Sequence, residues 1–124
     1  MGSNVENWRP VYGYEGIYEV SDMGRVRSVD RYTNTKSGKA NRFERGRVLS
    51  PKFNRGGYLK YNLANNGEIK TVTGHKLVAN AFIENPFGKS TVNHINGVKT
   101  DNRANNLEWN TPKENVIHCI RVLG

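Results

Sequence analysis

The alternation of apolar and polar positions divides the chain into short extended segments and two helical ones. In the run NWRPVYGYEGIYEV, Trp8, Tyr12, Tyr14, Ile17, Tyr18 and Val20 are punctuated by glycines, which suits short strands joined by turns. Ser21-Asp22-Met23-Gly24 is turn-forming, and Arg25 to Val29 then alternates, predicting a half-buried strand with arginines on its outer face. Val48, Leu49 and Pro51 resume extended structure. Asn54-Arg55-Gly56-Gly57 is a strong turn. Two further strands, Tyr58 to Leu63 and Ile69 to Val72, flank Asn65-Asn66-Gly67, a good hairpin turn.

At His75 the period changes. Leu77, Val78, Ala81 and Phe82 share one helical face, and Asn85-Pro86 ends that helix. Val92 leads a strand into His94, and Leu107 to Trp109 forms a second one, with Trp109 expected in the core. Thr111-Pro112-Lys113-Glu114 combines an N-cap threonine, a proline at the first helical position and a glutamate at the third. That helix is predicted to run to about Val122, with Val116, Cys119, Ile120 and Leu123 buried and Asn115 and His118 on a neighbouring face. Asp30 to Arg47 shows no such period. It reads as a long exposed loop, ordered by a polyanionic partner if at all.

These elements make an α+β protein of 124 residues: a small β-rich module over 6–60, then a strand–loop–strand–helix unit within 61–124. No apolar run is long enough to span a bilayer, and the first ten residues lack a signal-peptide core. The one cysteine, Cys119, allows no intrachain disulfide, which fits a reducing, cytoplasmic setting.

Charge sharpens the picture. The net charge is +8, and residues 25–60 hold 11 of the 19 Lys+Arg against only Asp30 and Glu44. So lopsided a stretch is the footprint of a nucleic-acid binder, and Arg25, Arg27, Arg31, Arg42, Arg45, Arg47, Lys52 and Arg55, with Arg103 farther along, are its candidate phosphate ligands. His94, flanked by Asn93 and followed by a polar loop and a capped helix bearing Asn115, has the makings of a phosphodiester-cleaving site. A neutral histidine can take a proton from water, and amide oxygens can hold a divalent cation that keeps most of its own waters. Chemistry alone does not decide: a loop histidine is more often a hydrogen-bonding or surface residue, and the asparagines also suit turns.

The pattern is more specific. VNHINGVKTDNRANNLEWNTPKEN resembles the HNH (ββα-metal) endonuclease motif, NWRPVYGYEGIYEVSDMGRVRS resembles the NUMOD-type module that precedes it in phage and intron-associated nucleases, and GHKLVANAFIENP resembles the joining segment. The resemblance implies that His94 is the general base. It implies that Asn106 ties the loop and orients the histidine, and that Asn115 is a metal ligand. Asn93 falls where many relatives carry an aspartate ligand. His118 either approaches the metal from the helix or is a solvated helix residue. His75 is expected to be structural. The resemblance further implies one Mg²⁺ or Mn²⁺ ion, double-stranded DNA as partner, no membrane, a monomer or weak dimer, and nicking of one strand in a bacterial cell by a phage- or mobile-element-encoded protein. The alternative is a catalytically weak or inactive DNA-binding accessory protein.

Overall fold

The structure, a computed structural model, describes residues 5–34 and 41–114. The first module is the antiparallel sheet β1 (Trp8–Pro10), β2 (Tyr18–Ser21) and β3 (Val26–Ser28), with β2 central. Val20 and Val26 point inward with no exposed surface. The chain returns along the free edge of β3: Leu49 N–H donates to the Val26 carbonyl at 2.8 Å, Ser28 N–H to that of Arg47 at 2.9 Å, and Val48 bridges Arg27. Gly46 sits where this crossing is tightest, because a Cβ there would collide with the Ser28 carbonyl oxygen.

The segment expected to be an unstructured loop is instead a hairpin. β4 (Arg31–Asn34) pairs antiparallel with β5 (Asn41–Glu44). Its polar composition hides the signal that holds it, a cross-strand contact of Tyr32 with Phe43 at 5.2 Å between ring centroids.

β6 (Lys52–Phe53), β7 (Leu59–Asn65) and β8 (Glu68–Thr73) form the next sheet. The β7–β8 turn has φ 53° at Asn66 and 80° at Gly67, the pair of positive values a two-residue hairpin of matching twist demands. α1 (Gly74–Phe82) follows at once and buries Leu77, Val78 and Ala79. The last sheet is β9 (Thr91–His94) paired with β10 (Leu107–Asn110), His94 lying opposite Leu107 and Asn93 opposite Glu108. The predicted capping box is present: Thr111 N–H donates to Glu114 Oε1 at 3.0 Å, and Glu114 N–H to Thr111 Oγ1 at 3.2 Å. Asn115, His118, Cys119 and the rest of the predicted helix lie outside the described residues.

One apolar cluster runs through all of this, joining Val11, Tyr18 and Val20 to Leu63, Val78 and Leu107. Polar ties span the same joint. The Tyr18 hydroxyl accepts from Ala64 N–H at 3.0 Å. Arg9 donates to the Ala81 carbonyl at 2.7 Å, stacks 4.7 Å over Phe82 and so closes the C-terminal end of α1. Trp109 Nε1 donates to the Ile83 carbonyl at 3.0 Å, and its ring packs against the core as expected. The β-rich segment is thereby fixed to the strands that carry His94.

Candidate active site

His94 ends β9, where the strand gives way to a loop that must reverse over a dozen residues before β10. Asn106 closes that loop. Its Oδ1 accepts from Asn96 N–H at 3.0 Å, and its Nδ2 donates to Asn96 Oδ1 and to the Asp101 carbonyl, each at 2.9 Å. Ile95 N–H donates to the Asn106 carbonyl at 2.8 Å. Asn96 continues the network, donating to Asp101 Oδ2 and accepting from Val98 N–H, both at 2.9 Å. Gly97 supplies the positive φ (77°) that the reversal needs.

The His94 ring is not held by Asn106. Its Nε2 lies 2.8 Å from Oδ1 of Asn102, a residue that looked like one more turn former in a polar loop. Two rings flank it: His75 at 5.0 Å and Tyr58 at 5.8 Å between centroids, the latter stacked. His94 is 5 % exposed. Burial lowers its pKa below the ordinary histidine value, opposed by the Asn102 hydrogen bond and the Asp101 charge. The ring is therefore biased to the neutral form a general base requires.

His75 is lowered further, to about 4, by burial first and then by the competing protonation of His94 and the charge of Lys76. Its Nδ1 is buried without a hydrogen-bond partner. This gives a pH dependence with a definite sign. An unfolded histidine takes its proton near pH 6.5, and the folded one resists until about pH 4. The unfolded state therefore binds the extra proton between those values, and stability falls as pH drops from about 6.5 to 4. With allowance for partial exposure the loss is roughly 2 kcal/mol. Urea titrations at pH 7 and pH 4.5 should show it, and His75→Phe should remove most of the difference.

Asn93, 6 % exposed, donates from Nδ2 to Glu108 Oε1 across the strand pair at 3.0 Å. A carboxylate only accepts, so the amide nitrogen faces Glu108 and the amide oxygen is turned the other way. Among the described residues no three His, Cys, Asp or Glu side chains cluster to hold a metal. An amide oxygen suits a hard divalent cation that keeps waters and takes substrate oxygens. Of the expected ligands Asn93, Asn115 and His118, Asn93 alone lies among the described residues.

The candidate cations divide into two groups. Arg25 is paired with Glu6, and Arg27 meets Glu19 at 2.6 Å while lying 3.9 Å over the Trp8 ring. Arg103 grips Asp101 through two bonds of 2.7 and 2.8 Å, holding that carboxyl at about 2. Arg31, Arg42, Arg45 and Arg47 gather round one cleft of about 500 Å³ beside the hairpin. Lys52 and Arg55 are exposed on β6 and the turn after it. Lys99, not singled out from sequence, donates to the Gly56 carbonyl at 2.9 Å and covers the Tyr58 ring at 5.2 Å.

A strand pair closing on a buried, amide-held histidine, followed by a capped helix start and preceded by a cationic β module, defines a nuclease-like ββα unit. Comparison with known proteins agrees. Residues 6–64 match the NUMOD4 motif and residues 84–117 match the HNH endonuclease family. The chain carries a NUMOD4 motif followed by an HNH endonuclease segment. It is 37 % identical over 109 residues to DNA endonuclease I-HmuI of Bacillus phage SP01, covering 88 % of this chain and 55 % of that protein. It is 40 % identical over 125 residues to an uncharacterized HNH endonuclease of Acanthamoeba polyphaga mimivirus, covering 97 % of this chain and 27 % of the relative. The fold matches a solved structure on DNA binding and cleavage by the HNH homing endonuclease I-HmuI, with a TM-score of 0.72 and 34 % identity over 93 % of this chain and 58 % of that one. The chain thus spans between about a quarter and somewhat over half of the relatives it matches. Among the described residues no helix is long and apolar enough to cross a membrane.

Proposed function

We propose that this chain is a metal-dependent endonuclease that nicks one strand of duplex DNA, with His94 as the general base. The observation that carries the reading is His94 itself: biased toward its neutral form by burial, held by an amide, and standing on a loop that Asn106 locks. A divalent cation held through Asn93, and by Asn115 on the family pattern, supplies charge neutralisation at the phosphate when bound. The chain's own residues do the rest. His94 takes a proton from the attacking water, and the strand pair keeps base and ligand adjacent.

The test is conversion of supercoiled plasmid to open circle. Nicking should appear with Mg²⁺ or Mn²⁺ and vanish with EDTA. DNA binding without any nicking by wild-type protein under either ion would sink the reading in favour of a non-cleaving DNA-binding module.

Phosphate binding falls chiefly to Arg31, Arg45 and Arg47 beside the hairpin, because Arg25, Arg27 and Arg103 already have carboxylate partners. Each phosphate contact contributes about 0.9 to the slope of log K against log salt. Replacing Arg45 and Arg47 together with alanine should lower that slope by roughly 2, uniformly across DNA sequences. Arg27→Ala should leave it nearly unchanged. Fluorescence anisotropy over a salt series separates the two.

A further inference from the structure

We infer that Asn102 is the positioning residue of the base: its amide oxygen holds the His94 ring by Nε2 and leaves Nδ1 as the nitrogen that takes the proton from water. The inference rests on the reading of His94 as general base.

An amide oxygen can only accept, so the 2.8 Å contact puts the hydrogen on Nε2 and the lone pair on Nδ1. Among the described residues the Asn102 side chain makes no other hydrogen bond. It is 3 % exposed, and its Nδ2 is buried without a partner. An unsatisfied buried N–H group costs about 1–3 kcal/mol, which an apolar residue of similar shape would avoid. The amide brings one thing that offsets this cost, an acceptor for the histidine.

The slot that holds Asn102 is built by distant parts of the chain. At Gly24, in the β2–β3 turn, a Cβ would stand 3.0 Å from Asn102 Cβ and 3.1 Å from its backbone. At Gly74, the first residue of α1, a Cβ would stand 2.8 Å from Asn102 Nδ2. The same turn anchors the loop, since Ala104 N–H donates to the Asp22 carbonyl at 2.8 Å. The β-rich module is therefore part of the frame that sets the base, besides carrying cations.

The experiment joins NMR to kinetics on the whole chain. Long-range ¹H–¹⁵N spectra of ¹⁵N-histidine protein report the tautomer of His94, assigned by the signal lost in His94→Gln. Wild type should show Nε2 protonated. Asn102→Ala should lose that preference, and its kcat for nicking should fall about 10–100-fold with KM for DNA little changed. Asn102→Asp, which restores an acceptor oxygen, should recover the tautomer and most of the rate. An Nδ1-protonated His94 in wild type overturns the inference. So does a folded Asn102→Ala variant with wild-type tautomer and rate, while leaving the endonuclease reading intact. If wild type does not nick, the endonuclease reading fails, and Asn102 is then a structural partner of the His94 ring and not the positioning residue of a base. If Asn102→Ala does not fold, the wild-type and Asn102→Asp spectra decide it.

Discussion

Replacing His94 with alanine should lower the nicking rate by about 10²–10⁴-fold, the range that a positioned general base contributes. The size follows from how completely the ring is committed to one task. It is buried, its pKa is pushed down by that burial, and its Nε2 is taken up by Asn102. A solvent hydroxide or a stray side chain cannot reproduce that placement. Removal also leaves a hole beside the Tyr58 and His75 rings, so alanine adds a structural cost to the chemical one. His94→Gln nearly keeps the volume and can still pair with Asn102, yet has no basic nitrogen. If the loss is chemical, the two variants should be equally slow and His94→Gln should melt close to wild type. DNA affinity should be unchanged in both. The acid limb of the wild-type rate should fall at a pH below that of an ordinary histidine, since the folded ring gives up its proton more readily. A His94→Gln variant that nicks at the wild-type rate would assign the base elsewhere.

What the sequence makes readable is local. The Asn66-Gly67 turn, the capping box at Thr111 and Glu114, the α1 face and the His94 strand all depend on residues within a few positions of one another, and all are present. What it hides depends on distance. Arg25 looks like an outward cation until Glu6, nineteen residues earlier, is seen beside it. Asn102 looks like a turn former until His94, Gly24 and Gly74 close round it. The β4–β5 hairpin has no apolar alternation because one aromatic pair and backbone bonding suffice to hold it. Asn106 shows both sides: its tie across the loop follows from its place in the motif, but the ring it was expected to orient is held by a different amide.

The Asn93 position carries the second large effect. Asn93→Asp should tighten Mn²⁺ binding by tens of fold, up to about 100-fold, because ligand charge count is the main determinant of affinity for hard cations and first-sphere changes are at least as costly as outer-sphere ones. The structure adds a condition to that expectation. Asn93 donates to Glu108, which lies directly opposite it on β10. A carboxylate at position 93 loses that bond and faces a like charge, which destabilises a cross-strand pair by about 0.2–1 kcal/mol. Without metal the variant should therefore melt below wild type, and with metal the order should reverse. Glu108→Gln in the same chain should remove the penalty without removing the gain, because the glutamine amide can donate where the glutamate could not. Glu108→Gln alone keeps an acceptor oxygen for the wild-type Asn93 amide and should leave Mn²⁺ binding close to that of wild type. Titration of Mn²⁺ by electron paramagnetic resonance, with thermal melts in EDTA and in excess metal, gives all four values. Equal Mn²⁺ affinity in wild type and Asn93→Asp would remove position 93 from the metal site and with it the adjacency of ligand and base on β9.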